Sequence, residues 1–451
     1  MENAKQNKMG TAPIFPLIVS MSLPAMFSML IQAMYNIVDS IFVARVGDNA
    51  LTAVSLAFPI QTLIIAVAVG TGVGLNSLIS RRLGEQNYEA ANSAASHGPF
   101  LGICSWLVFA VFGLFFSRTF FEAFTETAQV IEMGTQYISI VTIFSFGSFV
   151  QINFEKILQA TGNMFYPMLF QLVGAVTNII LDPIFIFGYF GFPKMGVAGA
   201  AVATVAGQIL AMVFSVYVAF CKNHAVTIQI KGFRPQKAVI QEIYAVGLPS
   251  IVMQSIGSVL VMGLNAILIT FSEIAVSVLG VYYKLQSFVF MPVFGLNQGL
   301  MPIMGFNYGA GNKKRLLDAL KIGVLIAATI LLVGMLLFLF FPAQLLGIFN
   351  DSAEMLRIGV PALRIISTSF VFAAVSIIFS TLFQAIGRGV NSLLISVLRQ
   401  LFVILPVAYL MANLFGLEMV WYAFPIAEVV SVAVSILLFI QVYKARLANL
   451  A

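Results

Sequence analysis

Twelve apolar stretches of roughly twenty residues or more leave this chain few ways to fold. They fall at about 17–43, 53–80, 93–116, 133–157, 165–187, 197–221, 242–268, 275–305, 317–341, 355–383, 391–412 and 418–441. Each is long enough to cross the roughly 30 Å hydrocarbon core of a bilayer as a helix. Only 9% of the 451 residues are charged, against about 25% in a soluble domain, so a water-soluble globule is excluded. The reading is an all-α integral membrane protein. Lys5 and Lys8 precede a first apolar run that continues to Val43, too long for a signal-peptide core, and it is read as a retained helix.

The connectors are short except 222–241, where Lys222, Lys231, Arg234 and Lys237 cluster. This segment is read as a cytoplasmic linker between an N-terminal lobe, 1–221 with spans 1–6, and a C-terminal lobe, 242–451 with spans 7–12. Sixteen of the 23 Lys and Arg residues, Lys156 among them, fall at the ends of the chain or in connectors on one side. Four (Arg45, Arg118, Lys194 and Arg357) fall on the other, and Lys284, Arg364 and Arg399 lie inside spans. The excess of basic residues marks the cytoplasmic side and places both termini there.

A shift of 225 residues brings the two halves into register from residue 24 to 162. Leu23-Pro24 falls on Leu248-Pro249, Gly84 and Asn87 on Gly309 and Asn312, Glu126 on Asp351, and Gln159-Ala160 with Gly162 on Gln384-Ala385 with Gly387. Apolar composition alone does not align Gly, Pro, Gln and Asn at one offset, so the chain is a tandem repeat. Six spans per repeat preserve orientation, which predicts two six-helix lobes related by pseudo-two-fold symmetry along the membrane normal. Transporters built this way bind substrate between their halves.

Ionisable side chains are costly inside a membrane and point to function. Asp39 in span 1 and Asp182 in span 5 are the clearest. Asn178 precedes Asp182 by one helical turn, and Pro183 has no N–H for the carbonyl of Ile179, which predicts a bend. Asp39 and Asp182 lie near the outer ends of their spans, and Thr204 a similar depth into span 6. Asp39, Asn178, Asp182 and Thr204 are therefore expected to form one oxygen-rich site for H⁺ or Na⁺. Gln32, Tyr35 and Asn36 share the Asp39 face of span 1 and, with Asn153 and Gln171, are expected to line a substrate cavity. The 42 Phe and 20 Met suit a pliable apolar surface of broad specificity. The second half lacks this acid set: Asp39, Asn178 and Asp182 shift onto Leu264, Val403 and Val407, and it carries Glu428 with the three basic residues.

Gly70-Thr71-Gly72-Val73-Gly74 lies inside a span with no Lys-Ser/Thr after it, so helix packing, not phosphate binding, explains it. There is no ATP-binding motif. His97, His224, Cys104 and Cys221 form no catalytic or metal-ligand spacing, so neither an enzyme nor a bound cofactor is expected.

The early Leu23-Pro24, the string Val38-Asp39-Ser40-Ile41-Phe42-Val43-Ala44, the Gly84 and Gly309 connectors, Gln159-Ala160-Thr161-Gly162 and Asn178-Ile179-Ile180-Leu181-Asp182-Pro183 resemble the multidrug and toxic compound extrusion (MATE) family, in its DinF-like branch. The resemblance implies the MATE fold with a V-shaped pair of lobes. It also implies an antiporter of the cytoplasmic membrane that exports cationic or amphipathic compounds against H⁺ or Na⁺. In DinF-like members an N-lobe cation site maps onto Asp39, Asn178, Asp182 and Thr204. Another branch uses acids in spans 7 and 10, for which this chain has no counterpart. The expectation is a monomeric secondary transporter in the lipid bilayer, without nucleic-acid partners. A lipid or polysaccharide flippase of the same superfamily and a passive channel are the alternatives.

Overall fold

In the computed structural model, residues 7–222, 224–349, 352–448 and 450 are described; Lys5 and Asp351 lie outside them. The architecture is all-helical. The first half comprises α1 (Lys8–Thr11), α2 (Ile14–Ala44), α3 (Asp48–Gly84), α4 (Tyr88–Phe115), α5 (Ser117–Glu122), α6 (Ala128–Ile143), α7 (Phe146–Ala160), α8 (Phe165–Phe187) and α9 (Val197–Cys221). The second comprises α10 (Lys237–Leu268), α11 (Glu273–Gly309), α12 (Lys313–Phe340), α13 (Pro342–Gly347), α14 (Ala353–Ser367) and α15 (Phe370–Ala385). It continues with α16 (Gly389–Val397), a π-helical stretch Leu398–Ile404, α17 (Leu405–Phe415), α18 (Leu417–Val420) and α19 (Ala423–Val442). Among the described residues, ten helical segments are long and apolar enough to cross a membrane, and two bent pairs, each taken as one span, bring the spans to twelve.

The repeat in the sequence is a repeat of helix ends. At a helix terminus four backbone groups lack helical partners and must be met locally. Asn87 caps α4 by accepting from the Ala90 N–H at 3.0 Å, and Asn312 caps α12 by accepting from Arg315 N–H at 3.1 Å. Their own N–H groups return to Arg82 and Asn307, each at 2.9 Å. Between helix and cap stands a residue in the left-handed region, Gln86 (φ 58°) in one half and Gly311 (φ 72°) in the other. Gly162 (φ 87°) and Gly387 (φ 81°) close α7 and α15 in the same way. The bent pairs correspond as well: α6–α7 is broken by 43° and α14–α15 by 49°.

Small residues let helices approach where no aqueous phase drives them together. A Cβ on Gly72 would meet the Lys156 stem, and one on Gly74 the Ile243 carbonyl, so the glycine run of α3 receives α7 and the first turns of α10. A Cβ on Gly207 would stand 2.6 Å from the Gly174 carbonyl, which seats α9 directly on α8.

Phe27–Ile251 form one compact unit; the chain before Phe27 and that from Val252 onward form the other. These cuts fall inside α2 and α10, just beyond Pro24 and Pro249, whereas the lobes 1–221 and 242–451 follow the repeat. Each proline lacks the N–H that would bind the carbonyl four residues back. The linker is also shorter than its charge pattern suggests, because α10 begins at Lys237. It is fastened to α4: the N–H groups of Thr227, Gln229 and Gln236 donate to Asn92 Oδ1 (2.7 Å), Ser96 Oγ (2.9 Å) and His97 Nε2 (2.9 Å).

A side chain in the left-handed region costs about 1–2 kcal/mol. Gly162→Ala and Gly387→Ala should each destabilise by about that amount, and Gln86→Gly should stabilise by up to about 1 kcal/mol; thermal unfolding of purified protein in detergent checks both signs.

Candidate functional site

The site is assembled inside the Phe27–Ile251 unit by α2, α3, α6, α8 and α9. Close seating of α9 on α8 brings Thr204 against Asn178. With its carboxamide turned to suit both neighbours, Asn178 donates from nitrogen to Asp182 Oδ2 at 3.0 Å, and its oxygen accepts from Thr204 Oγ1 at 3.2 Å and Thr204 N at 3.1 Å. Asn178, Asp182 and Thr204 are all buried, Asp182 completely. From α2, Tyr35 lies beside Thr204, and the Asp39 and Asp182 carboxyl groups are close enough to interact electrostatically. Asp39 Oδ1 is buried and has no partner. The structure thus brings together Asp39, Asn178, Asp182 and Thr204, and adds Tyr35.

Two buried carboxylates so close repel each other as bare anions, and a proton or a small cation between them would relieve that repulsion. α8 continues through Pro183 to Phe187 and ends at Gly188 (φ 78°). Tyr137 of α6, fully enclosed, faces the pair electrostatically and accepts a 2.6 Å hydrogen bond from Gln61 Nε2 of α3. Nothing in the sequence singles out Tyr137 or Gln61. Each is one polar residue in an apolar span, and only packing reveals which way it faces.

The MatE family profile matches residues 24–184 and 249–410, most of the chain and both repeats. The chain belongs to the MatE family. Among its relatives is the multidrug export protein MepA of Staphylococcus aureus strain MSSA476, 28% identical over 421 residues, covering 92% of this chain and 91% of that protein. MepA of Staphylococcus haemolyticus strain JCSC1435 is also 28% identical, over 420 residues with the same coverage. Among solved structures, a multidrug resistance MATE family transporter of the MOP superfamily in an outward-facing conformation superposes with a TM-score of 0.92 at 29% identity, covering 99% of each chain. A MOP superfamily transporter from Pyrococcus furiosus Vc1 (DSM3638), whose binding pocket is described as reversed in polarity, gives 0.91 at 28% identity over 98% of this chain and all of that one. This MatE chain is accordingly a multi-pass membrane transporter with the MATE fold, not an enzyme.

The five residues expected to line a cavity separate within the MatE scaffold. Gln32 and Tyr35 are half-buried and Asn36 is exposed on α2. Asn153 is fully buried and donates from Nδ2 to the Gly98 carbonyl at 3.2 Å, tying α7 to α4. Gln171 donates to both oxygens of Glu155 at 3.2 Å. Asn153 and Gln171 thus serve helix contacts.

Lys156 departs further from its expected place at a cytoplasmic span end. It lies within α7, buried, with Nζ 3.5 Å from Glu155 Oε1 and 2.9 Å from Gln159 Oε1. Gln151 and Gln159 complete the network, donating to Glu155 at 2.9 and 3.0 Å. The available signal was the spacing Gln151, Glu155, Gln159, a polar stripe at every fourth residue on one helix face. The three basic residues of the second half also part company. Lys284 is exposed with Nζ 5.6 Å from the centroid of Phe349, Arg364 donates to the Leu339 carbonyl at 3.1 Å, and Arg399 pairs with Glu428.

Removing one partner of a buried pair costs about 3–5 kcal/mol because the other charge is stranded. Lys156→Met should therefore lower stability by several kcal/mol, and Glu155→Gln in the same chain should restore much of it; thermal unfolding of the single and double variants measures the coupling.

Proposed function

We propose that this chain is a cation-coupled antiporter that exports cationic or amphipathic organic compounds across the cytoplasmic membrane, with H⁺ or Na⁺ as the coupling ion. The closeness of the Asp39 and Asp182 carboxyl groups carries this reading. Such a pair is stable while a proton or cation lies within it and repulsive once that ion leaves. Asp39 rides on α2 and Asp182 on α8, so loading and release of the ion bias the position of α2. That gives one element whose equilibrium depends on the ion, as coupling requires. Asn178 and Thr204 fix Asp182, and Tyr35 of α2 lies beside Thr204. Gln32 and Asn36, on the same face of α2 as Asp39, are the residues through which a substrate would feel the change. The multidrug export function of the staphylococcal relatives supports the substrate class, and the basic connectors support cytoplasmic termini. The transporter works as a monomer in this reading.

Dye efflux from proteoliposomes under separately imposed pH and Na⁺ gradients tests it. One gradient should drive uphill efflux, and Asp39→Asn and Asp182→Asn should each reduce it by about tenfold or more, equivalent to at least about 1.4 kcal/mol of lost coupling. Uphill movement under neither gradient, or coupled efflux undiminished in both folded variants, overturns the reading.

A further inference from the structure

The second half carries an ion pair at sequence positions close to those that answer to the first half's carboxylate site. Past the connector before α9 a shift of 224, one less than the repeat shift, sets Met195, Ala203 and Val205 on Met419, Ala427 and Val429, and puts Glu428 on Thr204. The repeat shift of 225 puts Arg399 on Gly174, one helical turn before Asn178 on the same face. In the structure Arg399 Nη1 donates to Glu428 Oε1 at 3.0 Å. Arg399 sits in the π-helical stretch Leu398–Ile404, a widening of the helix often found at functional positions.

We propose that Arg399 is a tethered cation. In this unit it permanently fills the role that an exchangeable H⁺ or Na⁺ fills at Asp39 and Asp182, so Glu428 is a latent monovalent-cation site and exchange is confined to the Phe27–Ile251 unit. This rests on the cation-coupled reading above and extends it to the half that lacks the acids.

Three observations carry the proposal. Glu428 is more than nine-tenths buried, and such a carboxylate needs a positive partner. Arg399 engages only one of its oxygens: Oε2 is buried without a partner, as is the Tyr283 hydroxyl of α11. Tyr283 lies within electrostatic reach of Arg399, and its neighbour Tyr282 within reach of both members of the pair. The two Glu428 oxygens are donors that a small hard cation takes when no guanidinium competes, and the unpartnered Tyr283 hydroxyl lies near that guanidinium. Lys284, the next residue on α11, is turned to the Phe349 ring and does not offer a second internal cation.

The test uses the full-length chain, with proton uptake by pH-stat and ²²Na⁺ binding measured on purified protein, and cation dependence measured on dye efflux in proteoliposomes. Arg399→Met should bind about one more monovalent cation per chain than the parent, because Glu428 is left uncompensated. Arg399→Met with Glu428→Gln should lose that extra cation. Glu428→Gln alone should leave the cation dependence of efflux unchanged, since Glu428 exchanges nothing in the parent protein. Equal binding by Arg399→Met and the parent, or an extra cation kept by the double variant, overturns the proposal. So does a shift of cation dependence in Glu428→Gln like that of Asp182→Asn. If Arg399→Met does not fold, Glu428→Gln alone decides by this last criterion. Failure of the coupling reading appears elsewhere, as a parent protein whose efflux neither gradient drives.

Discussion

Hydrocarbon offers no hydrogen bonds, and an unmet peptide group there costs several kcal/mol. The chain answers with helices for every crossing and concentrates its backbone irregularities where side chains or turns can satisfy them. Asn87 and Asn312 meet the open N–H groups of α4 and α12. Gly162 and Gly387 turn the chain out of α7 and α15. The same solutions recur in both halves because both halves meet the same solvent.

The cost of charge in that solvent orders the polar residues in the same way. Among the described residues, three groups of acids lie inside the helical bundle, and each has its own surroundings. Glu155 is held by Lys156 and amides from Gln151, Gln159 and Gln171. Glu428 is held by Arg399. Asp39 and Asp182 lie near one another, with Asn178, Thr204 and Tyr35 around them, and in the proposed mechanism an ion balances them. The first two balances are built into the chain, so they stiffen it. In the coupling proposed for this chain the third is on loan from the medium, which is what an ion-driven transporter needs.

Much of this was legible in the residues. Long apolar runs gave the spans, a constant offset gave the repeat, and scarcity of charge singled out Asp39 and Asp182. The depth of Thr204 and the one-turn spacing of Asn178 from Asp182 were enough to group four residues that the fold does bring together. Other assignments failed for a common reason. In a uniformly apolar helix there is no polar face to say which side is inside, so Asn153 could be read as cavity-lining although it ties α7 to α4. A lysine near a span end ordinarily reaches the interface, which places Lys156 in a connector, yet Gly72 leaves room for its stem against α3.

The sequence by itself determined that the chain crosses a membrane, how often, and that its two halves repeat, because these follow from local hydrophobicity and local helix-end chemistry. Tertiary structure alone decided which polar atoms meet. Whether Gln61 reaches Tyr137, whether Arg399 finds Glu428, and where α2 and α10 pass from one compact unit to the other depend on contacts between residues far apart in the chain. A buried charge or amide is tolerable only beside its partner, and that partner is set by how helices pack, which no run of neighbouring residues encodes.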